Sequence, residues 1–455
     1  MTADAKAPLL DGRRGATPAQ TLGNIVVSIV GTGVLGLPYA FRTAGWLAGA
    51  LGVAAAGAAT FYCMLLLLEC RDKLREQETE EEDNGHQHRD GNYTYGDLGE
   101  KCFGPMGRHF TEATIILCQT GGTVAYLVFI GQNVSSVFAA ESWLTPATVV
   151  LAFLLPVQAA LSFVRSLSSL AASSILADAC TVLAVAAVVK EDAELLAARG
   201  VAGRTALAGL WGVPFAFGFA VFCFEGFCMT LALEASMADR RKFRSVLFQA
   251  LAGVTVVYVG FGVCGYLAFG DATMDIITLN LPRNWSTAAV KVSQDRISFF
   301  TDHSFLMILA TAQANMMSCF EFNDRFRQVV LCVALALTFP VMMHPIHEIV
   351  EARLFAPGGW MRKHGGVLER AALHASRVAV LVTLSAIACF VPAFGAFASF
   401  VGSTVCAMLS FVLPALFHLR VVGGDAGACR RAVDWGFLLF GLVFAAHGLY
   451  TAVFG

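Results

Sequence analysis

The stretch Gly31-Thr32-Gly33-Val34-Leu35-Gly36-Leu37-Pro38 lies inside the first long apolar run of this chain. Glycine loses the most backbone entropy on ordering, and proline deletes a donor, so these residues hold a continuous helix badly. Yet nothing between Arg14 and Arg42 is charged, and that run exceeds the roughly 20 residues that cross a bilayer as a helix. In hydrocarbon an interrupted helix survives only where its freed N–H and C=O groups meet protein, water or a ligand. The pattern predicts a broken membrane helix, and breaks of that kind line cavities near the midplane.

The rest of the chain fits that setting. It has 455 residues, 57% hydrophobic and only 14% charged, with a mean hydropathy of +0.66, against the roughly 25% charged of a soluble domain. A second uncharged run extends from Glu112 to Glu141. Apolar runs between charged or turn-rich breaks predict about eleven spans: 21–41, 46–69, 110–138, 145–164, 168–190, 208–233, 245–269, 329–349, 374–391, 394–419 and 433–454. Residues 1–20 are polar and do not read as a cleavable signal peptide. Basic residues concentrate on alternate loops, as in Arg240-Arg241-Lys242 and Arg430-Arg431, which places the N-terminus in the cytosol. The 13 cysteines lie mostly in apolar runs without metal spacing and read as reduced buried thiols.

Two polar stretches stand apart. Residues 70–109 are expected to be a cytosolic loop, and Arg71 to Asp90, with the acidic run Glu76 to Asp83, a solvated disordered linker. Residues 294–328 have three alanines, no glycine and six phenylalanines in a chain otherwise rich in alanine and glycine. That segment reads as translated non-coding sequence or a gene-model error, against the alternative of a genuine insert. Its portion from His303 to Phe320 is apolar enough for a partial helix.

No His-Glu-x-x-His, Gly-x-Ser-x-Gly or phosphate-binding loop occurs, so an enzyme is not expected. No cofactor, metal or nucleic acid is called for. Ionisable residues within apolar runs are Asp178, Glu225, Glu234, His344, His347 and His447. Such groups are functional candidates because an unpaired charge in the membrane is expensive. Glu225 stands out, since Glu225-Gly226, with Pro214 and Gly218, would break a second helix. His344 reads more readily as interfacial. On spacing alone Gly31, Gly33 and Gly36 read more readily as close helix packing, and Phe222 and Phe224 as core.

Asn24, Ser28, Gly31-Thr32-Gly33, Leu37-Pro38-Tyr39-Ala40-Phe41 and Ala44-Gly45-Trp46 together resemble the start of the amino acid/auxin permease family. The resemblance continues through Tyr95-Gly96-Asp97-Leu98-Gly99, Phe222-Cys223-Phe224-Glu225-Gly226, Leu233-Glu234-Ala235-Ser236-Met237, Phe339-Pro340-Val341-Met342-Met343-His344-Pro345 and Val401-Gly402-Ser403. Within the family it is most similar to plant vacuolar transporters of neutral and aromatic amino acids. It implies an all-α polytopic membrane protein of the LeuT type: helices 1–5 (21–190) and 6–10 (208–419) as two inverted repeats, then helix 11 (433–454). It further implies proton-coupled transport with an amino acid, protons and the bilayer as partners, in the vacuolar membrane or else the plasma membrane; a monomer is expected, the sequence leaving the oligomeric state open. Residues 294–328 have no counterpart in the family.

On that reading the amides around Gly31, Thr32, Gly33 and Val34 take the substrate carboxylate, since helix N-termini attract anions. Carbonyls freed at both breaks take the ammonium. Asn24 orders the break, Phe222, Phe224 and Thr338 line the side-chain pocket, and Glu225 carries the coupled proton. An amino acid sensor with the same pocket, or a permease for auxin or another small zwitterion, is the alternative.

Overall fold

In the computed structural model the described residues are 15–82, 93–138, 141–162, 182, 185–198, 203–280, 324–354 and 367–454. They are almost wholly helical. In chain order, α1 (Pro18–Ile29) is followed by a 3-10 turn (Thr32–Gly36) and α2 (Leu37–Ala44), then α3 (Trp46–Glu82) and α4 (Tyr95–Val137). Next come α5 (Pro146–Ser162), α6 (185–198), α7 (Gly212–Cys223), α8 (Phe227–Ser236) and α9 (Phe243–Phe269). The chain ends with α10 (Asp324–Leu354), α11 (Val367–Phe390), α12 (Phe394–Val421) and α13 (Ala428–Phe454). Among the described residues, 8 helices are long and apolar enough to cross a membrane, or 9 when α1 and the segment from Thr32 to Ala44 count as one span bent by 50°. The polytopic all-α reading holds. The expected span 168–190 and the segment 294–328 lie largely outside the described residues, although α10 begins within the latter at Asp324.

With no hydrophobic drive between helices in lipid, close approach of backbones does the packing. At Gly402 in α12 any β-carbon would overlap the carbonyl of Gly218 in α7, and at Gly262 in α9 it would overlap the ring of Phe41. Large rings fill the remaining space: Phe129, Phe219, Phe394 and Phe411 are fully buried.

Three expectations are corrected. The linker reading of Arg71 to Asp90 fails at its start, because α3 runs on to Glu82. Arg71 is only 4% exposed and its guanidinium pairs with Glu234 of α8. A charged residue inside a protein survives when paired, and i,i+3 pairs such as Lys73–Glu76 at 4.0 Å support the helix where it leaves the membrane. Likewise α4 begins at Tyr95, under a capping box between Thr94 and Asp97, and bends at Gly104-Pro105 rather than starting at 110. Finally, Pro214 and Gly218 do not break α7. Proline in a first helical turn removes a donor that had no partner anyway, and Gly218 is the seat for α12.

Candidate functional site

Helix 1 is interrupted where its sequence predicts. The last bond of α1 runs from the Val30 amide to Val26, and Gly31 is extended, at φ −125° and ψ −158°. The first amides of a helix lack partners within it, and those of Thr32 and Gly33 make no bond elsewhere among the described residues. Helix 6 breaks over Phe224-Glu225-Gly226, between α7 and α8. The two interruptions face one another. A β-carbon on Gly33 would lie 2.8 Å from Cys223 Sγ and 3.4 Å from Cys223 Cα, and one on Gly226 would lie 3.0 Å from Ile29 Cγ1.

A residue the sequence reading did not single out ties the breaks together. The Tyr258 hydroxyl, fully buried in α9, donates toward the carbonyls of Ile29 and Cys223, each at 3.2 Å. These are the last carbonyls of α1 and α7, groups expected to be free for a substrate ammonium; here a hydroxyl occupies them. Buried tyrosines seek such a partner. Tyr258→Phe leaves both carbonyls without it, and we expect a loss of about 1–3 kcal/mol, read as a lower thermal midpoint in detergent. An unchanged midpoint would show that the hydroxyl carries no part of the joint. Tyr126 of α4 also reaches the site, its hydroxyl 3.1 Å from where a Gly31 β-carbon would stand.

Glu225 is half-buried in the second break. Its Oε1 accepts from Cys228 Sγ at 3.8 Å, and that sulfur accepts from Gln119 Nε2 at 3.7 Å, linking the carboxylate to α4. Thr32 is buried with its hydroxyl unsatisfied, and Val34 is fully buried beside it.

The remaining candidates fall elsewhere. Phe222 does touch the joint: its Cδ1 would be 3.4 Å from a Gly33 β-carbon. Phe224 instead packs against Tyr258 at 5.2 Å between ring centroids and fills space beside Gly57 of α3. Thr338 is half-buried in α10 and bonds back to the Leu335 carbonyl at 3.0 Å. Asn24 is exposed and makes no hydrogen bond among the described residues, so it does not order the break. Glu234 is the partner of Arg71. His344 is 45% exposed, 3.9 Å from Glu348, and behaves as an interfacial side chain. Asp178 lies outside the described residues. Among the described cysteines all are free, with Cys118 Sγ 3.4 Å from Cys406 Sγ.

The two ends of the bundle differ. Where α1 begins, Ala16 pairs with the end of α8, its amide 2.9 Å from the Ser236 carbonyl, and the Arg71–Glu234 pair lies close by in the chain. At the opposite end a cavity of 430 Å³ is lined by Tyr39, Arg42, Gln132, Ser136 and Asp275. Arg42 donates to the Thr273 carbonyl at 2.9 Å, and Asp275 caps α12 by accepting from the Phe394 amide at 3.0 Å.

Apolar helices, two of them broken against each other, define a polytopic membrane protein. The sequence signature of transmembrane amino acid transporter proteins matches residues 14–315 and 310–454, and the chain belongs to that family: it is an amino acid transporter and not an enzyme. It is 46% identical to "Amino acid transporter ANT1" of Arabidopsis thaliana, over 100% of this chain and 98% of the relative. It is 24% identical to "Vacuolar amino acid transporter 3" of Schizosaccharomyces pombe, over 92% of this chain and 57% of the relative. Among solved structures, a Na+-coupled sialic acid symporter in a substrate-bound outward-open state aligns with 96% of this chain and 97% of its own, at 10% identity and a TM-score of 0.40.

Proposed function

We propose that this protein is a secondary active transporter of neutral and aromatic amino acids, coupled to protons, working by alternating access around the two facing breaks. The observation that carries the reading is the joint itself: unpaired amides at Thr32 and Gly33 stand opposite the carbonyl end of α7, at Cys223, less than a side chain apart. A zwitterion needs both polarities. The carboxylate takes the amides, as Gly31 to Val34 supply them. The ammonium takes the carbonyls of Ile29 and Cys223 as the Tyr258 hydroxyl turns away. Phe222 meets the substrate side chain, and the scarcity of charge around the joint suits neutral ones. Among the described residues Glu225 is the carboxylate that stands at a break, and we assign it the coupled proton.

The Ala16–Ser236 pairing and the Arg71–Glu234 pair close the end we place in the cytosol, while the cavity at Arg42 and Asp275 is the way in from the other side. The names of relatives such as the yeast vacuolar transporter support a vacuolar membrane, with the N-terminus cytosolic and a monomer as the working unit. The family match covers residues 294–328 in two parts that overlap at 310–315, and α10 already begins at Asp324, so we place only residues 294–323 outside the mechanism: their deletion should leave expression and uptake at least equal to the full chain, whereas unfolding of the shortened protein would make them structural.

The test of specificity is exchange in proteoliposomes loaded with leucine. Labelled leucine should be displaced by excess phenylalanine, tyrosine or valine and not by lysine or glutamate. Equal displacement by charged and neutral competitors would overturn the assignment.

A further inference from the structure

Asp192 in α6 is a carboxylate that the account so far leaves without work. It is 0% exposed, and among the described residues neither side-chain oxygen has a hydrogen-bond partner. Its surroundings place it behind the helix 1 break. A β-carbon on Gly265 of α9 would lie 2.5 Å from Pro38 Cγ of α2 and 3.4 Å from Asp192 Oδ2. The carboxylate thus closes the third side of the contact on which α2 rests against α9.

Among the described residues, the charges that could compensate an ionised Asp192 are engaged elsewhere. From α9, Cys264 is near enough to feel its charge, and a thiol brings no positive charge. From α2, Tyr39 and Arg42 line the cavity instead, with Arg42 on the Thr273 carbonyl. On α6 itself Lys190 and Glu194 are exposed, and Glu191 is half-buried with a partner of its own. Arg204 spends its guanidinium on the Leu267 and Ala268 carbonyls, at 2.9 and 3.3 Å.

We propose that Asp192 is a proton-binding site that senses the outer half of helix 1. It holds a proton while Pro38 rests on Gly265 and releases it only when α2 swings off α9 and admits water. An ionised carboxylate sealed in this contact would lose its hydration and gain nothing in return, a cost of several kcal/mol or more. The neutral acid avoids most of it. Because protonation and the closed contact favour one another, each must shift the other's equilibrium. Asp192 does not touch the joint, so it acts on substrate only through the position of α2. This inference rests on the proton-coupled reading, as a second site beside Glu225.

Infrared difference spectroscopy on the full chain in nanodiscs, at neutral pH, reads the site without any transport. The wild type should show a protonated-carboxyl stretch that Asp192→Asn diminishes and Glu225→Gln leaves in part. A spectrum unchanged in Asp192→Asn overturns the proposal. Since no hydrogen bond is lost, both Asp192→Asn and Asp192→Leu should fold and melt like the wild type; destabilisation of both would make the carboxylate a structural group and overturn it equally. In proteoliposomes, a pH dye with labelled leucine should give fewer protons per amino acid for Asp192→Asn, and an unchanged ratio would disprove the link to helix 1. If the wild type carries no protons, the coupled reading fails, while the infrared band still decides whether Asp192 holds one.

Discussion

Replacing Gly33 by valine is expected to weaken amino acid binding about 100-fold or more, roughly 2.7 kcal/mol. The β-carbon alone would stand 2.8 Å from Cys223 Sγ, and the branches would press on Phe222, whose Cδ1 is 3.4 Å from the same point. Neither neighbour can retreat far, because Cys223 and Phe222 sit in the last turn of α7, whose Cys223 carbonyl is held by Tyr258. The breaks must therefore separate, and overpacking of this kind costs about 1–3 kcal/mol in stability as well. A second pair of variants isolates the contact. Gly33→Ala should weaken binding moderately, and adding Cys223→Ala, which removes the sulfur that the new methyl meets, should restore much of it. That non-additivity is the mark of two groups in contact. Size-exclusion profiles and melting in detergent separate lost binding from lost fold. Unchanged affinity in Gly33→Val would place the site elsewhere.

Glu225→Gln is expected to abolish uphill transport driven by a pH difference while preserving exchange between equal pools. The amide has the size of the protonated acid and cannot release a proton, so the carrier can still reorient with substrate but has nothing to couple. Geometry favours the experiment: Glu225 Oε1 faces a thiol at 3.8 Å, with no ion pair among the described residues that the change would break. Pools and gradient are measured in the same vesicles, with a proton ionophore as the control that collapses the drive. Undiminished pH-driven accumulation would remove the proton from Glu225. Loss of both activities would make Glu225 a substrate ligand or a cap on the break.

The first break was legible because glycine and proline act locally. Gly31 to Pro38 interrupt a helix for reasons contained in the residues themselves, and the fold interrupts it there. The second was legible at Glu225-Gly226 but not at Pro214, whose effect depends on how near it falls to a helix start. Phe222 and Phe224 could have been separated in advance, since residues two apart on a helix do not share a face; only Phe222 reaches Gly33. Arg71 was misread because a charge near a membrane segment looks solvated until its partner is known, and that partner, Glu234, is 163 positions away. Tyr258 was out of reach for the same reason, its hydroxyl bonding Ile29 across 229 residues. Asp192 could be listed from sequence as a carboxylate at a helix end, but its isolation is a property of the packing of α2 on α9.

The most direct measurement is an experimental structure of the purified full chain with phenylalanine or leucine bound. Density for the amino acid is expected between the Thr32–Gly33 amides and the Phe224–Gly226 break, its carboxylate on the amides and its ammonium toward the Ile29 and Cys223 carbonyls. Density confined to the cavity lined by Tyr39, Arg42 and Asp275, with the joint of Gly33 and Cys223 still closed and empty, would contradict it.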